Sequence, residues 1–171
     1  MKRVQLWRVH QAIALGVRLY LGWLFVTASI HKIAHPDAFA MDVATYQFLP
    51  IWAVNAFAIV VPWVELGVGG LLVLGLRVRA SALLVASMML AFMVALAWAL
   101  HLELDMACGC FASQAAADED PISSWTLVRD AVWLLLSVYV LVFDRRPVGL
   151  DAWLLGGQRS AERAAQRTPF G

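Results

Sequence analysis

Charged residues are scarce in this chain. Only 15% of its 171 residues are Asp, Glu, Lys or Arg, whereas soluble domains carry about 25%. Hydrophobic residues make up 62%, and the mean hydropathy is +0.74. The formal net charge of +1 gives no overall basic excess that would indicate nucleic-acid binding. The composition therefore excludes an ordinary soluble domain and favours a membrane protein.

Cysteine is nearly absent. The only two cysteines, Cys108 and Cys110, stand one residue apart. The absence of a second pair excludes an internal relay of cysteine pairs. The histidine spacing matches no strong zinc pattern, so the sequence gives no reason to expect a bound metal. Any redox turnover at these thiols therefore needs another electron carrier, and a membrane quinone is the natural candidate.

Long apolar runs are abundant. Four of them are long enough to cross about 30 Å of hydrocarbon, and they lie at approximately 12–30, 51–76, 80–100 and 126–143. They lack strand alternation, and helices satisfy their own backbone in lipid. The sequence predicts an all-α membrane protein, with an antiparallel bundle of four transmembrane helices in residues 1–146. We expect the first span to be retained rather than cleaved as a signal peptide.

The distribution of basic residues predicts the orientation. Ten of the thirteen lysines and arginines precede the first predicted span, separate the second from the third, or follow the fourth. By the positive-inside rule, both termini and a basic tail at 147–171 are cytoplasmic. The loops at 31–50 and 101–125 then face outward. Residues 37–46 are predicted to form a short helix on the membrane surface.

Helical spacing gathers polar and small residues on one face of three predicted spans, which indicates a polar seam inside the bundle. The faces comprise Arg18, Gly22, Phe25, Ser29 and Lys32 on the first span, Asn55, Ala58, Pro62, Glu65 and Gly69 on the second, and Thr126, Asp130, Trp133 and Ser137 on the fourth.

Arg18 and Glu65 are predicted at a similar depth, about 20 Å below the outer surface at ~1.5 Å per residue. They are expected to form a buried ion pair. One interpretation is a bridge that specifies the fold. The other is that the two residues border a cavity for a quinone head or a proton path.

Six polar residues are predicted within one or two turns of the outer surface. They are His31, Lys32, His35, His101, Arg129 and Asp130. One interpretation is an ordinary interfacial set whose side chains reach water. The other is that a cation among them lowers the pKa of a nearby thiol and that a histidine carries protons.

The pair Cys108-Gly109-Cys110 lies in the second outer loop. Closing a disulfide over one residue demands an unusual backbone, which Gly109 permits. Strained, exposed bridges tend to be oxidising, and disulfides persist outside the cytosol. The pattern favours thiol–disulfide exchange, in which one thiolate attacks a partner disulfide and the second resolves the mixed species. A permanent staple, or a soft-metal site completed by histidines, remains an alternative.

Ordered motifs in the first two spans resemble those of the DoxX-like membrane proteins. They are Arg18-x-x-x-Gly22-x-x-Phe25 with Lys32, Pro36-x-x-Phe39, Tyr46-x-x-Leu49-Pro50, and Pro62-x-x-Glu65-x-x-x-Gly69 with Leu74-Gly75. Two further motifs resemble the MauE branch: Cys108-Gly109-Cys110-Phe111 and Trp125-x-x-x-Arg129-Asp130. The resemblance covers roughly residues 18–142.

The resemblance implies a multi-pass protein of the bacterial inner membrane. MauE-like proteins are associated with maturation of methylamine dehydrogenase and with a thioredoxin-like periplasmic partner, and DoxX-like proteins with quinone-dependent thiol oxidation. The expected function is thiol–disulfide redox at the periplasmic face during maturation of an exported protein. The alternatives are a non-catalytic accessory subunit and a soft-metal-handling protein.

The candidate residues fall into two sets. The proposed catalytic set is Cys108, Cys110, Lys32, Arg129 and Asp130. The proposed cofactor-binding set is Arg18, Glu65, His31 and His101, of which Arg18 and Glu65 would hold the core or border a quinone.

Overall fold

The computed structural model describes residues 2–47, 49–102 and 124–144. This part of the chain forms five helices and no strand. They are α1 (Lys2–Ala34), α2 (Pro36–Thr45), α3 (Ile51–Leu74), α4 (Val78–His101) and α5 (Ser124–Phe143). The predicted all-α fold is confirmed.

Four helices carry segments long and apolar enough to cross a membrane. The segments are Val9–Ala34, Ile51–Leu74, Val78–His101 and Trp125–Phe143. Large apolar side chains such as Trp23, Val94 and Leu135 point outward, as expected where lipid replaces water. The protein is a multi-pass membrane protein embedded in a bilayer. The predicted basic tail and the domain boundary at residue 146 lie outside the described residues, and the cytoplasmic side of the termini stays a prediction.

The four spanning helices close into a ring. Helix α1 packs against α3 and α5, and α4 packs against the same two helices. The shared core includes Leu21, Phe25, Val68, Leu72, Val78, Ala82, Val85, Met89 and Val140. Contacts run in opposite directions along α1 and α3, because Gly22 meets Gly69 while Lys32 meets Glu65. The ends of α1 and α4 therefore lie at one end of the bundle, together with the starts of α3 and α5.

Two glycines bring α1 and α3 into backbone contact. A Cβ added at Gly22 would lie 2.7 Å from Val73 Cγ2 and 3.0 Å from the Gly69 carbonyl oxygen. A Cβ at Gly69 would lie 3.0 Å from the Gly22 carbonyl oxygen. Small residues permit this approach between membrane helices. The contact fixes the register of α1 on α3 and so decides which side chains meet further along.

Two of the helix ends that differ from the predicted spans have a clear local cause. Helix α1 continues past residue 30 to Ala34 and stops only before Pro36, because the residue preceding a proline disfavours the helical conformation. Helix α3 ends two residues early at Gly75, which adopts a left-handed conformation with φ 70°. The Leu76 N–H then donates to the Leu71 carbonyl at 2.9 Å, which is a Schellman ending.

The predicted short helix in the first outer loop is confirmed as α2. Pro36 occupies its first turn, where a missing N–H costs nothing. Phe39 and Tyr46 are buried against the bundle, and α2 packs on α3 and α1. The half-buried Asp42 lies on the same helix, and burial raises the pKa of its carboxyl.

Candidate functional site

The predicted polar seam is largely confirmed. All five predicted positions on α1 are buried, as are the last four of the five on α3. On α5, Asp130 and Ser137 are buried, whereas Thr126 and Trp133 are half-buried. The assignment of Asn55 is wrong. Val54 takes the buried position in the first turn of α3, and Asn55, one residue further round the helix, points out of the bundle.

Lys32 and Glu65 form a closed ion pair between α1 and α3. The Lys32 Nζ donates to Glu65 Oε2 at 2.8 Å and to Oε1 at 2.9 Å. The side chains are only 4% and 9% exposed. The Phe39 ring of α2 covers the ammonium group, with its centroid 5.0 Å from Nζ, which adds a cation–π contact. Both carboxylate oxygens are therefore occupied, and α2 shields the pair.

The expected pairing of Arg18 with Glu65 is wrong. Arg18 Nη1 instead donates to Asp144 Oδ2 at 3.2 Å, just beyond the end of α5. Side chains on a helix lean toward its N-terminus. Arg18 therefore reaches toward the end of the bundle where α5 finishes, while Lys32 reaches down to Glu65. Sequence reasoning missed Asp144, although it is the first charged residue after the last apolar run.

Arg129 and Asp130 form a third ion pair, within α5 alone. The Arg129 Nε donates to Asp130 Oδ1 at 3.3 Å. Asp130 is fully buried, whereas the Arg129 side chain is 39% exposed. The Arg129 guanidinium carbon lies 4.9 Å from the Trp133 ring centroid. The Trp133 Nε1–H donates to the Tyr20 hydroxyl of α1 at 3.3 Å, so the pair is connected across the α1–α5 interface.

The six polar residues predicted near the outer surface divide into separate groups. Lys32 pairs with Glu65, Arg129 pairs with Asp130, and the His31 and His35 rings lie 5.3 Å apart. His101 closes α4 and is exposed. In residues 2–47, 49–102 and 124–144, no ion pair joins Arg129 or Asp130 to the Lys32 group.

A further polar and aromatic cluster lies at the opposite end of the bundle. His10 Nδ1 and the Tyr139 hydroxyl lie 2.9 Å apart and share a hydrogen bond between α1 and α5. The His10 ring stacks on Phe143 at 5.0 Å between centroids. Sequence reasoning missed this cluster, because neither residue falls on a predicted polar face.

Cys108 and Cys110 lie outside the described residues, in the segment 103–123. That segment connects the end of α4 to the start of α5, which places its two attachment points at the end of the bundle that carries α2. Within the described ranges, no group of three His, Cys, Asp or Glu side chains is arranged to hold a metal ion. The predicted roles of the two cysteines stay predictions.

A family model described as methylamine utilisation protein MauE matches residues 10–143. This chain belongs to the MauE family. The match runs through all five helices, from the spanning part of α1 to the end of α5. The resemblance drawn from the ordered motifs is therefore confirmed.

Individual MauE proteins are similar over most of the chain. The methylamine utilization protein MauE of Methylorubrum extorquens is 31% identical over 142 residues, covering 81% of this chain and 68% of that protein. The Paracoccus denitrificans MauE is 31% identical over 134 residues, covering 77% and 70%. The Methylophilus methylotrophus MauE is 38% identical over 79 residues, covering 46% and 42%. No solved structure matches this chain.

Proposed function

We propose that this MauE-family member is a thiol–disulfide redox protein of the bacterial inner membrane. The observation that carries the proposal is the placement of its only two cysteines, Cys108 and Cys110, one residue apart in the segment between α4 and α5. The opposite end of the bundle carries the α3–α4 turn with Arg77 and Arg79. By the positive-inside rule that end is cytoplasmic, and the thiols face the periplasm.

The reaction at the thiols is oxidation of a periplasmic partner. The Cys108–Cys110 disulfide accepts two electrons from a dithiol of an exported protein or its thioredoxin-like carrier, leaving the partner as a disulfide and the pair as two thiols. Regeneration breaks two S–H bonds and forms one S–S bond. Two electrons and two protons pass to a membrane quinone, which leaves as a quinol. Maturation of an exported, disulfide-containing protein is the expected biological role.

The ion pairs of the bundle support a division of roles. Arg18 and Glu65, predicted near a quinone, are held by Asp144 and Lys32, which supports a clamping role for both. Lys32 was expected to adjust a thiol, but its ammonium already serves the Glu65 carboxylate. Arg129 and Asp130 lie about 8–9 Å along the helix from Ser124, where the cysteine segment enters α5, at ~1.5 Å per residue. Both lie on the helix that the segment with the cysteines enters, which supports a role for them beside the thiols.

Alkylation of the two cysteines in intact membranes tests the proposal. The reagent is applied with and without prior reduction, and again after addition of a quinone. We expect the pair to be found in both states, shifting to the thiol form with reductant and back to the disulfide with quinone. A pair that stays oxidised through all treatments indicates a staple and a non-catalytic accessory role. A metal that copurifies with the wild type and is lost in Cys108→Ser indicates metal handling instead.

A Cys110→Ser variant identifies the partner. In this variant Cys108 is a lone thiol that forms a mixed disulfide with the oxidised partner, and no second thiol of the pair releases it, if Cys108 is the cysteine that bonds to the partner. Cys108→Ser provides the reciprocal trap. Recovery of a thioredoxin-like or disulfide-rich exported protein with one variant supports the proposal and shows which cysteine bonds to the partner. Recovery of no disulfide-linked protein with either variant contradicts exchange.

A further inference from the structure

Arg129 differs from the two bridging cations in having an open edge. Among the described residues its Nε donates to Asp130, and its two terminal nitrogens, Nη1 and Nη2, donate to no protein atom. The side chain is 39% exposed although it lies inside a spanning segment. A guanidinium carries five N–H donors, and an arginine in a membrane is costly unless its donors find acceptors. The open edge therefore calls for an acceptor from beyond residues 2–47, 49–102 and 124–144.

The guanidinium is also held in a fixed orientation. The fully buried Asp130 anchors its Nε end, and its guanidinium carbon lies 4.9 Å from the centre of the Trp133 ring. Trp133 is in turn tied to Tyr20 of α1. Much of the side-chain entropy that binding would cost is therefore already lost in the free protein. Such preorganisation is typical of a binding group rather than of a surface arginine.

Tyr20 supplies a second donor at the same surface. Its hydroxyl oxygen accepts from Trp133 at 3.3 Å, and the hydroxyl hydrogen reaches no acceptor in the described part of the chain. Tyr20 is 50% exposed on the outside of α1. The surface thus combines an arginine edge, a phenol O–H and an indole ring, and it opens toward the lipid between α1 and α5.

We propose that this surface, made by Tyr20, Arg129 and Trp133, binds the head of a quinone. A quinone ring is flat and neutral, and it carries carbonyl acceptors and reaches proteins through the lipid. Arg129 and Tyr20 supply donors to the carbonyl oxygens, and Trp133 supplies an apolar ring surface. Asp130 balances the arginine charge, which favours a neutral acceptor over an anionic lipid phosphate. This inference rests on the proposed function and names where its electron acceptor sits.

The position suits electron transfer from the cysteines. Arg129 lies one to two turns below Ser124, about 8 Å along the helix axis at ~1.5 Å per residue, and the segment that carries Cys108 and Cys110 ends at Ser124. The exposed Trp125 lies between them, at the level where tryptophan prefers the interface. A quinone head at Arg129 would therefore lie just below the end of the bundle to which the segment with Cys108 and Cys110 is attached.

Binding of a photoreactive short-chain benzoquinone tests the site without relying on turnover. The purified full chain is placed in phosphatidylcholine vesicles, and affinity and the labelled peptide are measured for wild type, Arg129→Lys and Tyr20→Phe. We expect label within α5 near Arg129 and Trp133. Affinity should fall about tenfold or more in Arg129→Lys, since lysine loses the planar fork, and by a smaller factor in Tyr20→Phe. Arg79→Lys, an exposed arginine at the other end, should bind as the wild type does.

Unchanged quinone affinity in both Arg129→Lys and Tyr20→Phe, or label confined to another helix, overturns the inference. The inference is also overturned if Arg129→Lys loses copurified phospholipid but still binds quinone, because that result assigns the open edge of Arg129 to a lipid phosphate. The thiol state in the same vesicles separates the two proposals. Thiols that cycle with quinone in both variants at the wild-type rate reject this site. Thiols that never cycle in the wild type reject the redox function, even where quinone binds.

Discussion

The Lys32–Glu65 and Arg129–Asp130 pairs use the same chemistry in opposite ways. The first joins two helices, fills both carboxylate oxygens and is less than 10% exposed on either side. The second joins neighbours on one helix and leaves Arg129 partly exposed. In the described part of the chain Asp130 Oδ2 has no hydrogen-bond partner. A closed pair can only hold helices together, whereas an open pair retains donors and acceptors for a ligand.

The largest expected effect is the loss of one member of the closed pair. Lys32→Met leaves the Glu65 carboxylate buried without its cation, and we expect the free energy of unfolding to fall by about 3–5 kcal/mol. Denaturant titration in detergent micelles measures it. The double variant Lys32→Met with Glu65→Leu should recover most of the loss, because an apolar pair removes the uncompensated charge. A solvent-exposed ion pair contributes less than about 1 kcal/mol. If Lys32→Met lowers the free energy of unfolding by no more than that, the Lys32–Glu65 pair is not buried as described.

Alanine substitutions at two glycines of α1, Gly22 and Gly16, test the close contact between α1 and α3. That contact sets the register in which Lys32 meets Glu65. Gly22→Ala pushes a methyl group against Val73 and the Gly69 carbonyl, and overpacking of this kind costs about 1–3 kcal/mol. Gly16→Ala is the matched control, since a Cβ there meets nothing within 4 Å. That change should stabilise the helix by roughly 0.5–1 kcal/mol. Equal effects of the two variants on the unfolding midpoint would show that the α1–α3 approach is not close.

Tyr139→Phe probes the α1–α5 interface at the end far from Arg129. The variant removes the hydrogen bond between His10 and Tyr139 and keeps the tilted ring contact with Phe143. We expect a stability loss of about 0.5–1.5 kcal/mol, the usual net value of such a bond. Quinone affinity should not change, and that distinguishes it from Tyr20→Phe on the same interface. A parallel drop in quinone affinity would mean that the open pair depends on the whole interface.

The smallest effect is expected from Asp42, on the helix that covers the closed pair. Burial raises the pKa of Asp42 above its value in the unfolded chain. The folded protein therefore holds this proton more tightly, and the free energy of unfolding falls as pH rises through the raised pKa. Asp42→Asn should be slightly more stable than the wild type at neutral pH. The advantage should disappear below the ordinary pKa of an aspartate, which unfolding curves at several pH values will show.

Sequence patterning was sufficient for the helices and for most of the polar seam. Apolar runs and turn residues predicted four spans and the short outer helix, because lipid leaves the backbone few alternatives. Helical spacing correctly placed Arg18, Lys32 and Glu65 on buried faces. Spacing assigns a residue to a face, and for α1, α3 and α5 most of the residues assigned to the inner face are buried or half-buried.

The partners of the buried charges were not predictable in the same way. Equal depth suggested Arg18 with Glu65, but long side chains lean along the helix and reach partners several ångströms from their own level. Lys32 therefore meets Glu65, and Arg18 meets Asp144. The open edge of Arg129 depends on how α1 and α5 expose one side chain. No pattern in the sequence encodes that exposure.

The rate of disulfide closure between Cys108 and Cys110 in proteoliposomes shows whether a quinone bound beside Arg129 oxidises the two thiols. The pair is first reduced, the reductant is removed without air, and closure is followed by quenched alkylation with and without added quinone. We expect closure that requires quinone and that slows markedly in Arg129→Lys. Closure at the same rate without quinone, or a pair that never closes, would contradict this expectation.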